Sequence, residues 1–224
     1  MRPEPGSTLP EKLGASAGAW AALWIALHYL ILPRGGVATP LGADVDFVRT
    51  LVAERASWEW ATALRVMGGL MIIWFMGSLA GRLRQAEGEP GRLASISFGV
   101  GVVWGAVWLL SAMFNSAAIL LATTYQDGTG ARLMGVLGRD SVLILTPSIL
   151  FVLTLAVSFV SMRYGGFPRW YAQLTTAFTW IVLALALWDW YGPGTLGNAI
   201  MTLGLAWLAL TSLLVIPVYR GSRT

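Results

Sequence analysis

Five side chains in this sequence carry chemistry that their apolar surroundings do not explain: His28, Glu59, Arg65, Asn115 and Asp189. Arg65 is the most demanding of them. It lies seven residues into the apolar run that begins at Trp58, about 10 Å along a helix. A guanidinium at that position must either reach back toward water or find carboxylate or carbonyl partners. Glu59 and Asp189 are the acids at the same end of the apolar runs, and His28 and Asn115 can complete a hydrogen-bonded network. Two chemistries fit such a set. One is a structural ion pair that fixes the register of neighbouring helices. The other is a polar pocket open to the outside, in which Arg65 recognises an anionic or polar head group, because its planar fork matches a carboxylate or a phosphate.

The residue types exclude much else. His28 is the sole histidine; it reads as a hydrogen-bonded helix contact, and no second histidine exists for a bis-His haem. With no cysteine, thiolate catalysis, disulfides and thiolate-held metals fall away. One histidine among scattered acids does not make a metal site. The sequence holds no H-E-x-x-H, no G-x-S-x-G, no phosphate-binding G-x-x-x-x-G-K-[ST] and no G-x-G-x-x-G that opens a strand–helix unit. It therefore names no catalytic residue, no metal and no cofactor.

The elements that must position these groups follow from composition. Hydrophobic residues make up 56% of the 224 residues and charged residues only 12%, about half the share of a soluble domain, and the mean hydropathy is +0.67. The isoelectric point near 9.9 would suit nucleic acid, but the charges lie between apolar runs and form no basic stripe. Lipid contact accounts for the pattern. Apolar runs at 15–32, 58–81, 93–124, 141–161, 171–190 and 195–219 predict an all-α bundle of six transmembrane helices forming one domain. An extended arm, 1–14, precedes it and a short tail, 220–224, follows. Glycine-rich 125–140 is expected as a loop with a helical turn near Arg132, and Pro147 as a bend in the fourth span.

Between the first two spans, Val45, Val48 and Val52 share a helical face flanked by Phe47 and Leu51, with Asp46, Arg49, Thr50 and Glu54 largely opposite. That periodicity predicts a short amphipathic surface helix with Asp44 near its N-cap; an ordinary capping loop is the alternative. Arg82, Arg84, Arg92, Arg163, Arg169 and both chain ends put the basic excess on one side, which the positive-inside rule makes cytoplasmic. His28, Glu59, Arg65, Asn115 and Asp189 then all belong to the outer half. Trp58, Trp60, Tyr125, Tyr164, Trp170, Tyr171 and Trp188 near the span ends read as interfacial belts. Gly77-x-x-x-Gly81 and Gly101-x-x-x-Gly105 mark places where two helices can approach closely.

Ala43-Asp44-Val45-Asp46-Phe47-Val48-Arg49-Thr50-Leu51-Val52 with the following span, Thr146-Pro147, and Gly166-Phe167-Pro168-Arg169-Trp170 together resemble a group of small six-helix bacterial membrane proteins known only as a domain of unknown function. The resemblance implies a six-helix bundle in a bacterial plasma membrane and carries over no activity and no site residues. Three functions remain open at this stage. The chain binds or transports a small polar or amphiphilic molecule through the outward pocket; or it is a structural or accessory subunit packed against a larger membrane protein; or it is an intramembrane enzyme.

Overall fold

The computed structural model describes residues 9–31, 44–191 and 197–215. Among them the chain forms seven α-helices: α1 (Leu9–Ile31), α2 (Asp44–Ala53), α3 (Arg55–Glu87), α4 (Arg92–Leu120), α5 (Gly128–Tyr164), α6 (Arg169–Tyr191) and α7 (Gly197–Val215). One π-helical turn, Leu121–Tyr125, finishes α4. All but α2 are long and apolar enough to cross a membrane, so the architecture is the expected multi-pass helical bundle with a short helix after the first span. Helices are the solution that satisfies every backbone group without water. α1 starts at Leu9, inside the stretch expected to be extended. Residues 1–8, the end of the first run at 33–36, the turn at 192–194 and the tail at 220–224 lie outside the described residues.

α3 packs between α1 and α4, α4 continues to α5, and α7 closes the circuit against α5 and α1, with α6 laid on the outside of α5. The enclosed core is built on Phe75, Met76, Trp104, Trp108, Leu150 and Leu153. Its closest backbone approach joins α3 to α4. A Cβ at Gly69 would stand 2.9 Å from the Gly105 carbonyl oxygen, and one at Gly105 would stand 2.8 Å from that of Gly69. Gly101 seats Met76 in the same seam. Of the two G-x-x-x-G pairs, then, only Gly101 and Gly105 are used. Gly77 and Gly81 face open space, and the glycine that answers Gly105 is Gly69. The α3–α4 hairpin turns on Gly88 and Gly91, both at positive φ. Glu87 reaches across it to accept the Leu93 and Ala94 N–H groups at 3.1 and 3.0 Å, capping α4.

Helix lengths divide the bundle into two tiers. α1 and α7, at 23 and 19 residues, match a hydrocarbon layer of about 30 Å. α3 and α5, at 33 and 37 residues, run to about 50 and 55 Å. The segment 125–140 is accordingly a correction: it is not a loop. α5 begins at Gly128, with Asp127 accepting the Gly130 N–H at 2.9 Å as its N-cap. The glycines there serve contact instead of flexibility: Gly135 meets the Phe47 ring, and Gly138 meets Asn115 and the Ser111 carbonyl.

The projecting ends of α3, α4 and α5 form an upper tier with its own small core, in which Leu51 of α2 and Trp58 pack on Ala118, Ile119, Ala122 and Ala131. α2 docks there through Leu51, Phe47 and Val48, whereas Val52 is exposed. Its buried edge is thus rotated from the expected valine face and rests on protein. Trp60, Tyr125, Tyr164, Trp170 and Trp188 are exposed, as a belt requires. Trp58 and Tyr171 are not belt residues. Both are buried, Tyr171 with its hydroxyl 2.6 Å from Thr211 Oγ1.

Gly105→Ala must force α3 and α4 apart and is expected to lower the thermal midpoint in detergent, in line with an overpacking cost of about 1–3 kcal/mol. Gly77→Ala meets no neighbour and gains helix propensity, so circular dichroism melts should show it unchanged or stabilised.

Candidate functional site

Where the two tiers meet, one chain of hydrogen bonds ties four helices together. Arg65 of α3 donates from Nε to His28 Nε2 of α1 at 3.0 Å and from Nη1 to Ser111 Oγ of α4 at 2.5 Å. His28 Nδ1 lies 2.9 Å from the Ala61 carbonyl, one turn earlier on α3. Ser111 passes its own proton to the Gly138 carbonyl of α5. All three side chains are buried: Arg65 is 6% exposed, and His28 and Ser111 are not exposed at all.

The proton positions follow from donor arithmetic. A guanidinium has no acceptor, so His28 Nε2 must accept and Nδ1 carries the hydrogen that goes to Ala61. His28 is thereby fixed in its neutral Nδ1–H form, held edge-on by Tyr29 and Trp108 with ring centroids at 5.1 and 6.3 Å. Ser111 spends its single proton on Gly138 and both lone-pair directions remain for Arg65. His28 and Ser111 do not form a nucleophile–base pair, because the guanidinium stands between them and occupies the nitrogen that would take the serine proton.

The structure brings His28 and Arg65 together, places Asn115 a turn of α4 beyond their Ser111 partner, and leaves Glu59 out. Glu59 forms an exposed i,i+4 pair with Arg55 at 2.6 Å. Six residues from Arg65, it sits well round the helix from the guanidinium at about 100° per residue. Its expected role as counter-ion is therefore corrected. Asp189 falls in the last turn of α6, and its side chain lies outside the described residues. Among the described residues, Arg65 has only neutral partners.

Asn115 lies one turn beyond Ser111, 1% exposed, with its Nδ2 unpartnered. Its Oδ1 is 2.7 Å from the place where a Gly138 Cβ would stand. Trp104, Trp108, Ser111 and Asn115 follow one buried stripe of α4 at spacings of four, three and four residues. The indole N–H groups of Trp58, Trp104 and Trp108 are also buried and unpartnered. These unpartnered groups are all donors. Sequence reasoning missed Ser111, the Ala61 carbonyl and Gly138. The stripe that holds Trp104, Trp108 and Asn115 carried a signal for Ser111; a backbone carbonyl carries none.

No family model, no curated protein and no solved structure matches the chain.

His28→Ala and Ser111→Ala each strip one acceptor from a buried charge, and each is expected to lower stability by about 1.5–3 kcal/mol. Once one acceptor is lost, the guanidinium is free to swing toward water. The double variant should therefore lose less than the sum, with a coupling of about 0.5–3 kcal/mol in denaturant titrations. Strict additivity would mean that the bonds do not act as one network.

Proposed function

We propose that this multi-pass membrane protein binds a small amphiphile bearing a carboxylate or phosphate group, with Arg65 as the anion contact. The single observation behind this reading is a buried guanidinium whose described partners are all neutral. His28 and Ser111 supply dipoles but no charge, and the nearby unpartnered groups Asn115 Nδ2 and Trp108 Nε1 are further donors. Such a site is complete only when an acceptor carrying negative charge arrives. His28 orients the guanidinium, Ser111 fixes its height, and Asn115 adds a hydrogen bond to the bound group.

The depth of the site favours the same reading. Gly138, which closes the hydrogen-bond chain, is followed directly by Arg139 and Asp140, a half-exposed ion pair at 3.9 Å. Charges facing lipid belong at the edge of the hydrocarbon. Arg65 therefore sits at the boundary between the lower tier in the bilayer and the upper tier above it. A head group would reside there while its chain stays in lipid. By the positive-inside rule this end faces outward, with both termini cytoplasmic in a bacterial plasma membrane.

A second reading, an accessory subunit in a larger complex, draws on α6. Its span is 28% buried within the chain, against 39–50% for the other five. Such a subunit would co-purify stoichiometrically with a partner in mild detergent.

Dodecyl phosphate added below its micelle concentration to protein in maltoside micelles tests the first reading. The melting midpoint should rise by about 5 °C at roughly 100-fold excess over Kd, and dodecyltrimethylammonium should give no rise. Arg65→Gln should abolish the increment, and Arg65→Lys should weaken it by losing the fork. An equal increment in Arg65→Gln would sink the proposal.

A further inference from the structure

The upper tier contains a cleft of about 590 Å³ between α2 and the π turn. Val48, Val52 and Ala122 form its apolar wall, and Arg55, Thr123 and Gln126 supply its polar groups. We propose that this cleft is the vestibule of the Arg65 site: an amphiphile bearing a carboxylate or phosphate enters here and passes along the seam of α3, α4 and α5 to the guanidinium. The inference rests on the reading of Arg65 given above and adds the route.

Between the cleft and Arg65 the seam is closed by packing. From the cleft wall inward, α4 presents Ala122, Ala118, Asn115 and Ser111, all buried, over eleven residues or about 17 Å. α5 faces it with Ala131, Gly135 and Gly138, and α3 with Trp58, Thr62 and Arg65, all buried as well. Small side chains alone would signify only close packing. What marks a route is the two buried polar atoms placed along it without partners, Trp58 Nε1 at the level of the cleft and Asn115 Nδ2 below it. A buried donor left unmade costs about 1–3 kcal/mol, a cost that a passing acceptor removes. At the mouth Arg55 is paired with Glu59 and Asp127 caps α5 through the Gly130 N–H, so the cation that draws an anion along the route is Arg65. The π turn and the left-handed Gln126, at φ 51°, bound the mouth; π turns of this kind recur beside binding sites.

The chain has no cysteine, so one introduced thiol is a unique probe. Thr123→Cys in the cleft and Asn115→Cys in the seam, each in nanodiscs, would be exposed to two membrane-impermeant thiol reagents of similar size. One carries a sulfonate and the other a trimethylammonium group, and mass spectrometry follows the adduct. Thr123→Cys should label with both. Asn115→Cys should label about ten-fold faster with the sulfonate, and Arg65→Gln in that background should erase the preference. Should Asn115→Cys fail to fold, Ala118→Cys reads the same seam one turn nearer the cleft. Labelling at position 123 with none at 115 or 118 overturns the vestibule and leaves the Arg65 site standing, reached from lipid. Labelling at 115 with no preference for the anion overturns the reading of Arg65 itself.

Discussion

A guanidinium cannot be left unpaired among packed helices, and most of this structure can be read as the answer to that demand. Arg65 offers donors only, so whatever surrounds it must accept. The acceptors come from His28 on one side and Ser111 on the other. Each is in turn anchored to a backbone carbonyl, Ala61 for His28 and Gly138 for Ser111. Hydrogen bonds are directional, so the chain sets the relative heights of α1, α3, α4 and α5 at one level. Apolar packing alone resists a slide of one helix along another less specifically, because lipid is as apolar as the helix faces and supplies no hydrophobic drive between them. The Gly69–Gly105 approach, one turn further along α3, then sets how close α3 and α4 come. Register and distance are thus fixed by different residues.

Length supplies the second constraint. α3 and α5 are longer than a bilayer's hydrocarbon by about 20 Å or more, and near their Arg55 and Gly128 ends they meet α2. There the apolar faces of those helix ends need a cover. α2 provides it through Leu51 and Phe47, with Trp58 meeting Phe47 edge-on at 6.2 Å. The amphipathic helix therefore acts as the lid of a small second core, and the cleft beneath it follows from the way a ten-residue helix covers a wider three-helix surface. The π turn has a comparable origin. It ends α4 where the chain must reverse sharply into α5, with Gln126 taking the left-handed conformation and the Asp127 N–H returning to the Leu121 carbonyl.

The sequence revealed what depends on one helix at a time. The six spans show in hydropathy, the α2 helix in its periodicity, and the tension around Arg65 in a charge placed among apolar neighbours. The meeting of His28 with Arg65 follows from depth, since both lie toward the same end of their apolar runs. What escaped depends on two helices at once. Gly77 and Gly81 have the same spacing as Gly101 and Gly105, and only the partner surface distinguishes them. Gly128, Gly130, Gly135 and Gly138 resemble a loop because glycine is a poor helix former, yet Gly135 and Gly138 are small where Phe47 and Asn115 need room. Glu59 was misassigned by depth alone: it lies near Arg65 along the axis and away from it in azimuth, and Arg55, one turn earlier, holds it. Ser111 bears no charge and so drew no notice, although it occupies the same stripe as Asn115.

A structural staple and a binding site make different demands on charge. A staple works best when its charge is cancelled or absent. A buried charge costs several kcal/mol of desolvation that neutral partners only partly return, and an uncharged hydrogen-bonding or apolar group of similar size commonly does the structural task at lower cost. Arg65 keeps its charge, because the groups nearest to it, His28 Nε2 and Ser111 Oγ, accept without cancelling it. Asn115 Nδ2 and the Trp108 indole N–H are further buried donors without partners, a combination that raises the cost. That cost is recovered only by a species that accepts from several donors at once and carries negative charge. Under the proposed function the geometry is expensive as a clamp and economical as a receptor, and the neighbouring Arg139–Asp140 pair marks the level at which a head group and its hydrocarbon chain would part company.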